Sequence, residues 1–148
     1  MSGNYVPYEM SYKFLEHTAD VKFAAEGNSL EDAFIASVLA LKDSICGDIL
    51  ILEQITKTIE KTGTNLENLL YIFLEEFLFL LDSEDFLLSK ITELKIDPDK
   101  FILKATITGD TAENYKFTSD VKAVTYNEMF VKFNEERKLW QTQVVLDV

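Results

Sequence analysis

The sequence is poor in the residues that build most metal clusters and nucleophilic sites. Its 148 residues include one cysteine, Cys46, and one histidine, His17. A single cysteine cannot form an intramolecular disulfide, and these counts exclude cysteine and multi-histidine zinc sites. Because Cys46 ends an apolar helical pattern, we interpret it as a small core residue. Neither of the glycine-rich phosphate loops, G-x-x-x-x-G-K and G-x-G-x-x-G, occurs in the chain.

Basic residues are also in deficit. Fourteen Lys and Arg stand against 26 Asp and Glu, which gives a formal net charge of -12. Proteins that bind nucleic acids usually present a basic surface, so we do not expect tight, direct binding of RNA or DNA. An acidic surface suits a cation site or a basic protein partner, although its simplest effect is solubility.

Long apolar runs and linker-like tracts are absent from the sequence. The longest apolar-rich stretch, residues 69–81, contains Glu75 and Glu76 and is too short to span a bilayer. The N-terminus lacks the basic-then-apolar layout of a signal peptide. With only five Gly and two Pro, we expect a loose leader over residues 1–11 and one compact domain over residues 12–148. We expect this protein in the cytoplasm, with no membrane association.

Periodicity predicts two helices. Ser29 caps the first, which Gly47 ends. The second begins at a capping box formed by Thr64 and Glu67 and continues to about Leu81. Strands are predicted at residues 12–17, 21–26, 49–61, 87–96, 101–108, 121–126, 129–133 and 139–148, with Gly109 ending one of them and residues 116–117 as a further short strand. Two helices packed on a mostly antiparallel sheet of about seven or eight strands give an α+β fold.

Carboxylates are the remaining candidates for chemistry, and only their positions distinguish them. Asp20 lies in a short connection between strands, Glu76 lies in an apolar helix, and Asp147 ends an apolar strand beside the C-terminal carboxylate of Val148. Adjacent anions repel each other unless a cation joins them. Oxygen ligands favour Ca²⁺, Mg²⁺ or Mn²⁺ over zinc.

A plain structural role remains open for each candidate. By sequence alone the structural role is favoured for Asp147, as an edge residue that points to water, and for Glu76, as an exposed helix edge. His17 is more often a structural histidine than a ligand. By strand alternation, Lys122 simply faces solvent.

Five segments, taken together and in order, resemble the archease family. They are YKFLEHTAD at residues 12–20, GNSLEDAF at 27–34, LEEFL at 74–78 with DSE at 82–84, VKAVTY at 121–126 followed by Glu128 and Met129, and VLDV at 145–148. The resemblance covers residue 12 to the last residue. Many archeases carry histidine where this chain has Asn127 and some carry other residues, so we assign no function to Asn127.

The resemblance implies a function and a set of site residues. It implies a divalent-cation site, often assigned to calcium, formed here by Asp20, Asp147 and the Val148 carboxylate. It also places functional weight on Glu76 and Lys122, and His17 belongs to the first motif. The implied partner is an RtcB-type tRNA-splicing RNA ligase, whose guanylylation and multiple turnover an archease promotes. The protein would then be an activator with no catalytic residues of its own.

Three rival functions stay open at this point. A chaperone or specificity modulator of a tRNA-modifying enzyme, such as a tRNA methyltransferase, needs a partner but no metal-dependent stimulation of ligation. A metal-dependent hydrolase needs an activated water and an acid or base group, for which the sequence offers no convincing set. A purely structural domain predicts no saturable binding of divalent cations.

Overall fold

A computed structural model describes residues 10–16 and 20–148 of the chain. Helix α1 spans Leu30–Cys46 and helix α2 spans Leu66–Glu84. The strands described are β1 Met10–Leu15, β2 Val21–Gly27, β3 Ile55–Thr62, β4 Phe86–Asp97, β5 Ile102–Thr111, β6 Ala123–Asn134 and β7 Leu139–Asp147. β1 begins earlier than the predicted strand at Tyr12. Residues 1–9 of the predicted leader lie outside the described part of the chain.

The seven described strands form two sheets in which every neighbouring pair is antiparallel. One sheet has the order β1-β2-β7-β6 and the other β3-β5-β4. Helix α1 packs on β1, β2 and β7 and also on β4, while α2 packs on β6 and also on β3 and β4. The helices therefore lie between the two sheets, which is why both are apolar around much of their circumference. The predicted α+β class is confirmed.

Aromatic packing joins the two helices in the core. The rings of Phe34 on α1 and Phe73 on α2 are both fully buried and stack with centroids 6.4 Å apart. Phe77 meets Phe73 edge-on at 5.1 Å. A polar pair ties α1 to β7 within the same interior, because the hydroxyls of Ser37 and Thr142 lie 2.7 Å apart. This interior holds the four-stranded sheet in place against the helices.

The helix caps agree with the sequence for α1 and correct it for α2. Ser29 caps α1 as predicted, accepting from the backbone N–H of Asp32. At α2 the cap is Asn65, whose side chain accepts from the N–H of Asn68 at 2.7 Å. The predicted box of Thr64 and Glu67 is wrong because Asn is at least as good a cap as Thr and stands one residue later. Glu67 instead accepts from the N–H of Val131 on β6.

Gly109 does not end a strand, contrary to the prediction from its residue type. β5 runs through Gly109 to Thr111, with Gly109 paired to Ile55 on one side and Leu88 on the other. A Cβ atom at Gly109 would lie 2.2 Å from the carbonyl oxygen of Leu87. The glycine therefore marks a close approach of two backbones rather than a break.

Two further strand predictions are corrected by the structure. The predicted strand over residues 49–61 begins only at Ile55. The preceding residues form a loop, at the end of which the N–H of Gln54 donates a hydrogen bond to the carbonyl of Gly109. The strands predicted at residues 121–126 and 129–133 are one irregular strand, β6. Residues 116–117 lie outside any strand, in the loop between a short 3₁₀ turn and β6.

The buried carboxylate of Asp110 anchors the loop that precedes β3. Asp110 on β5 is 6% exposed, accepts the hydroxyl of Tyr115 at 2.7 Å and accepts the N–H of Thr111 at 2.8 Å. The Tyr115 oxygen in turn accepts from the N–H of Leu52. The hydrogen bond from Tyr115 is the largest of the causes that lower the pKa of Asp110. The ionised carboxylate is thus the form that the fold favours.

This network makes part of the stability dependent on pH. A carboxyl whose pKa is lowered by folding stabilises the fold above its unfolded pKa, about 3.9 for Asp, and loses that contribution as pH falls through the folded value. Replacing Tyr115→Phe should destabilise the protein at neutral pH, and the difference from wild type should shrink as pH falls below about 4. Urea unfolding followed at several pH values measures this.

Tyr126→Phe is the matched control. The Tyr126 hydroxyl accepts from the side-chain amide of Asn68 at 2.8 Å, and that partner does not titrate in this range. The change in the free energy of unfolding caused by Tyr126→Phe should be the same at every pH. A Tyr115→Phe difference that is equally independent of pH would contradict the assignment to Asp110.

Candidate functional site

The ends of three strands meet at one edge of the four-stranded sheet. Strands β2 and β7 pair so that Val21 lies across from Leu146, and the next residues along this register are Asp20 and Asp147. β6 enters beside them, with Ala123 across from Asp147. The backbone N–H of Lys122 donates to the carbonyl of Asp147 at 2.7 Å. The antiparallel register thus brings together residues from near the start and the end of the chain.

A cleft of about 400 Å³ opens at this edge of the sheet. Asp20 and the C-terminal residue Val148 both line it, whereas Asp147 is exposed beside it and by strand alternation shares the face of Val145. The complete lining consists of Phe14, Leu15, Asp20, Val21, Lys22, Asp43, Ser44, Asp120 and Val148. Asp20 and Val148 therefore line one cleft together with residues from the end of α1.

Two acidic residues of the cleft are additions to the predicted set. Asp43 comes from the last turns of α1, and Asp120 from the loop before β6. The Asp43 carboxylate accepts the hydroxyl of Tyr12 at 3.1 Å. Burial, and secondly this hydrogen bond, raises the pKa of Tyr12, so the phenol remains a donor. The sequence does not single out either aspartate as a site residue, because the patterns of α1 and of the loop before β6 are accounted for without a functional site.

The donor set at the strand ends suits a hard divalent cation. Asp20, Asp147 and Val148 all offer oxygen atoms, the ligands that Ca²⁺ and Mg²⁺ prefer. Within residues 10–16 and 20–148, no group of three or more His, Cys, Asp or Glu side chains is placed to hold a metal ion. The further side-chain carboxylates that line the same cleft as Asp20 are those of Asp43 and Asp120.

The structure places Glu76 away from these strand ends. Its carboxylate forms an ion pair with Lys61 on β3 at 2.8 Å, on the side of α2 that faces the three-stranded sheet. The neighbouring Glu75 instead contacts β6, where it accepts from the N–H of Val124 at 3.4 Å. The prediction of Glu76 rests on its place in an apolar helix and on the family resemblance, and only the orientation of the helix distinguishes it from Glu75.

The remaining predicted residues are Lys122, His17 and Cys46. The side chain of Lys122 is exposed at the start of β6, beside Asp147. His17 lies outside the described residues. Cys46 is buried at the end of α1 as predicted, and burial raises the pKa of its thiol, which disfavours the reactive thiolate. Among the described residues, the site is therefore a set of anions with two lysines, Lys22 and Lys122, and without an activated nucleophile.

The chain is thus defined as a small α+β domain with acidic residues at its strand ends, and comparison with known proteins assigns its family. Residues 12–148 match the Archease protein family. Protein archease of Pyrococcus furiosus is 36% identical over 93% of this chain and 98% of its own. The archease of Methanosarcina acetivorans is 31% identical over 93% and 95%. The chain belongs to the archease family.

A solved structure agrees with this assignment. The solution structure of Methanobacterium thermoautotrophicum protein 1598 shares the fold with a TM-score of 0.78 and 31% identity, over 93% of this chain and 98% of that one. Among the described residues, neither helix combines the length and the apolar character needed to cross a membrane.

Proposed function

We propose that this protein is a metal-binding activator of an RtcB-type RNA ligase that acts in tRNA splicing and RNA repair in the cytoplasm. The observation that carries the proposal is the meeting of Asp20, Asp147 and Lys122 at one edge of a sheet. These residues belong to three separate segments that resemble archease motifs, and the register of β2, β7 and β6 gathers them. Family membership supports the assignment.

The residues that would hold the proposed cation are Asp20, Asp147 and Val148, with Ca²⁺ as the first candidate and Mg²⁺ or Mn²⁺ as alternatives. When bound, the cation neutralises these anions and supplies a positive centre for oxygen atoms of the partner. The exposed Lys122 offers an ammonium group to a phosphate or to an acidic ligase residue. His17 remains a predicted member of this set.

The contribution proposed for Glu76 differs in kind. Its ion pair with Lys61 links α2 to β3, and a second pair, Glu84 with Lys57 at 2.7 Å, does the same near the end of the helix. Glu76 would support activation by fixing the position of α2, whose Glu75 contacts β6. Its role is therefore structural support rather than contact with the ligase.

The charge of the protein supports a basic partner. With a net charge of -12, it would be repelled from bare RNA but attracted to an RNA-binding enzyme, whose RNA path must be basic. Such attraction raises the rate of association and falls with ionic strength. Direct, tight RNA binding is not part of the proposal.

A turnover assay tests this function. The matched ligase is kept limiting over RNA that ends in a 2′,3′-cyclic phosphate and a 5′-hydroxyl, and ligase-GMP and joined RNA are followed with and without the protein. We expect faster ligase-GMP formation and many turnovers per ligase. An active ligase that is not stimulated would contradict the proposal and favour a modulator of a tRNA-modifying enzyme, for which a tRNA methyltransferase is the first candidate.

A further inference from the structure

Strand β6 carries a large irregularity close to the candidate site. Thr125 pairs with Val145 and Phe130 pairs with Gln143, so β6 advances five residues while β7 advances two. The extra residues form a bulge, and Glu128 within it has a φ of 55°, in the left-handed region that non-glycine residues rarely adopt. A backbone of this kind persists only where neighbouring contacts hold it.

Several contacts hold the bulge over the outer face of the sheet. The Lys22 ammonium of β2 forms an ion pair with the Glu128 carboxylate at 2.9 Å. The side-chain amide of Gln143 donates to the Glu128 carbonyl at 2.9 Å, and the N–H of Asn127 donates to the Thr125 hydroxyl. Because β7 lies between β2 and β6, the Lys22–Glu128 pair crosses from one side of β7 to the other.

The residue beneath this crossing is buried on a face that should be open. Val145 pairs with Lys22 on one side and Thr125 on the other, and it is 1% exposed. Its neighbours Val144 and Leu146 belong to the core cluster between the sheets, and Val145 does not. By strand alternation Val145 points away from the helices. The Lys22–Glu128 ion pair crosses β7 at this residue, since Lys22 is the β2 partner of Val145.

The Lys22–Glu128 ion pair crosses β7 two to three residues inward from the three strand ends of the site. Lys22 is two residues after Asp20, Val145 is two residues before Asp147, and Thr125 is three residues after Lys122. Lys22 also lines the cleft together with Asp20 and Val148. A contact that joins β2 to β6 across β7 at this point restrains all three ends relative to one another.

We infer that Lys22 and Glu128 are positioning residues, which clamp the ends of β2, β7 and β6 so that Asp20 and Asp147 are held in register for a divalent cation. The inference rests on the proposed function in taking the strand ends as the cation site. The clamp itself is a property of the described sheet and has its own readout.

The sign of the effect on cation binding separates a clamp from simple electrostatics. Lys22 carries a positive charge close to Asp20, so removing that charge alone should strengthen the binding of a cation. Removing a clamp should instead weaken binding, because the ligands lose their fixed arrangement. Lys22→Met removes both the positive charge and the ion pair with Glu128, whereas Lys22→Arg keeps both.

The test uses calcium titration and hydrogen exchange on the full chain. For Lys22→Met we expect Ca²⁺ affinity to fall by about tenfold, the scale on which supporting partners of metal ligands act. We also expect faster exchange of the amides of residues 144–147 without calcium, since local opening should become easier. Lys22→Arg should behave as wild type.

Lys57→Met is the matched control, because it removes one lysine from an ion pair of similar exposure and length, with Glu84, on the other sheet. It should alter neither readout. Unchanged exchange in Lys22→Met would overturn the clamp, as would unchanged or tighter calcium binding. If wild type binds no calcium while Lys22→Met still speeds exchange, the clamp stands and the cation site of the proposed function fails.

Discussion

Replacing Asp147→Asn should abolish activation of the ligase while leaving the fold intact. The side chain is exposed at the end of β7, so the amide is accommodated without loss of packing. The change removes one of the anions proposed to hold the cation. Loss of a direct ligand should cost more than the roughly 10–100-fold that loss of an outer partner costs. Ligase-GMP formation and the calcium affinity of the variant are the measurements.

Asp99→Asn provides the matched control for that variant. Asp99 is exposed in the turn between β4 and β5, on the other sheet, and the change removes the same charge. It should leave both calcium affinity and activation at the wild-type level. If Asp147→Asn stimulates the ligase as well as Asp99→Asn does, the metal-centred account is wrong.

Phe73→Ala should produce the largest loss of stability among the changes considered. Phe73 is fully buried, stacks on Phe34 and meets the edge of Phe77. Removing such a ring from a packed core costs about 3–5 kcal/mol. Since a domain of this size is stable by only about 5–15 kcal/mol, urea unfolding should show a midpoint far below wild type.

Phe79→Ala tests whether position rather than residue type determines that loss. Phe79 lies on the same helix, but its side chain is 53% exposed. Its removal should change the free energy of unfolding by no more than about 0.5 kcal/mol. Equal losses for the two variants would contradict the arrangement of α2 between the sheets.

The helices and the fold class were predictable because they depend on local patterns. The apolar period of residues 30–45 and the cap at Ser29 act within a few residues, and the structure confirms both. Gly109 shows where such reasoning ends. Its role is a close approach to the Leu87 carbonyl, and residue type alone cannot distinguish that from a strand break.

The site was predictable in its residue types but not in its arrangement. Asp20 and Asp147 stand out as carboxylates at the ends of apolar strands, yet only the pairing of β2 with β7 brings their positions together. Glu75 and Glu76 are adjacent in one helix, and a rotation of about 100° decides which of them contacts β6. The bulge in β6 between Thr125 and Phe130 is a further feature that strand alternation cannot reveal.

Calorimetric titration of calcium into the metal-free protein tests the central claim most directly. The account predicts one saturable site per chain, which Asp20→Asn and Asp147→Asn each remove and Asp99→Asn keeps. Wild-type protein that stimulates the ligase but shows no saturable binding of Ca²⁺, Mg²⁺ or Mn²⁺ would contradict a cation site at the strand ends.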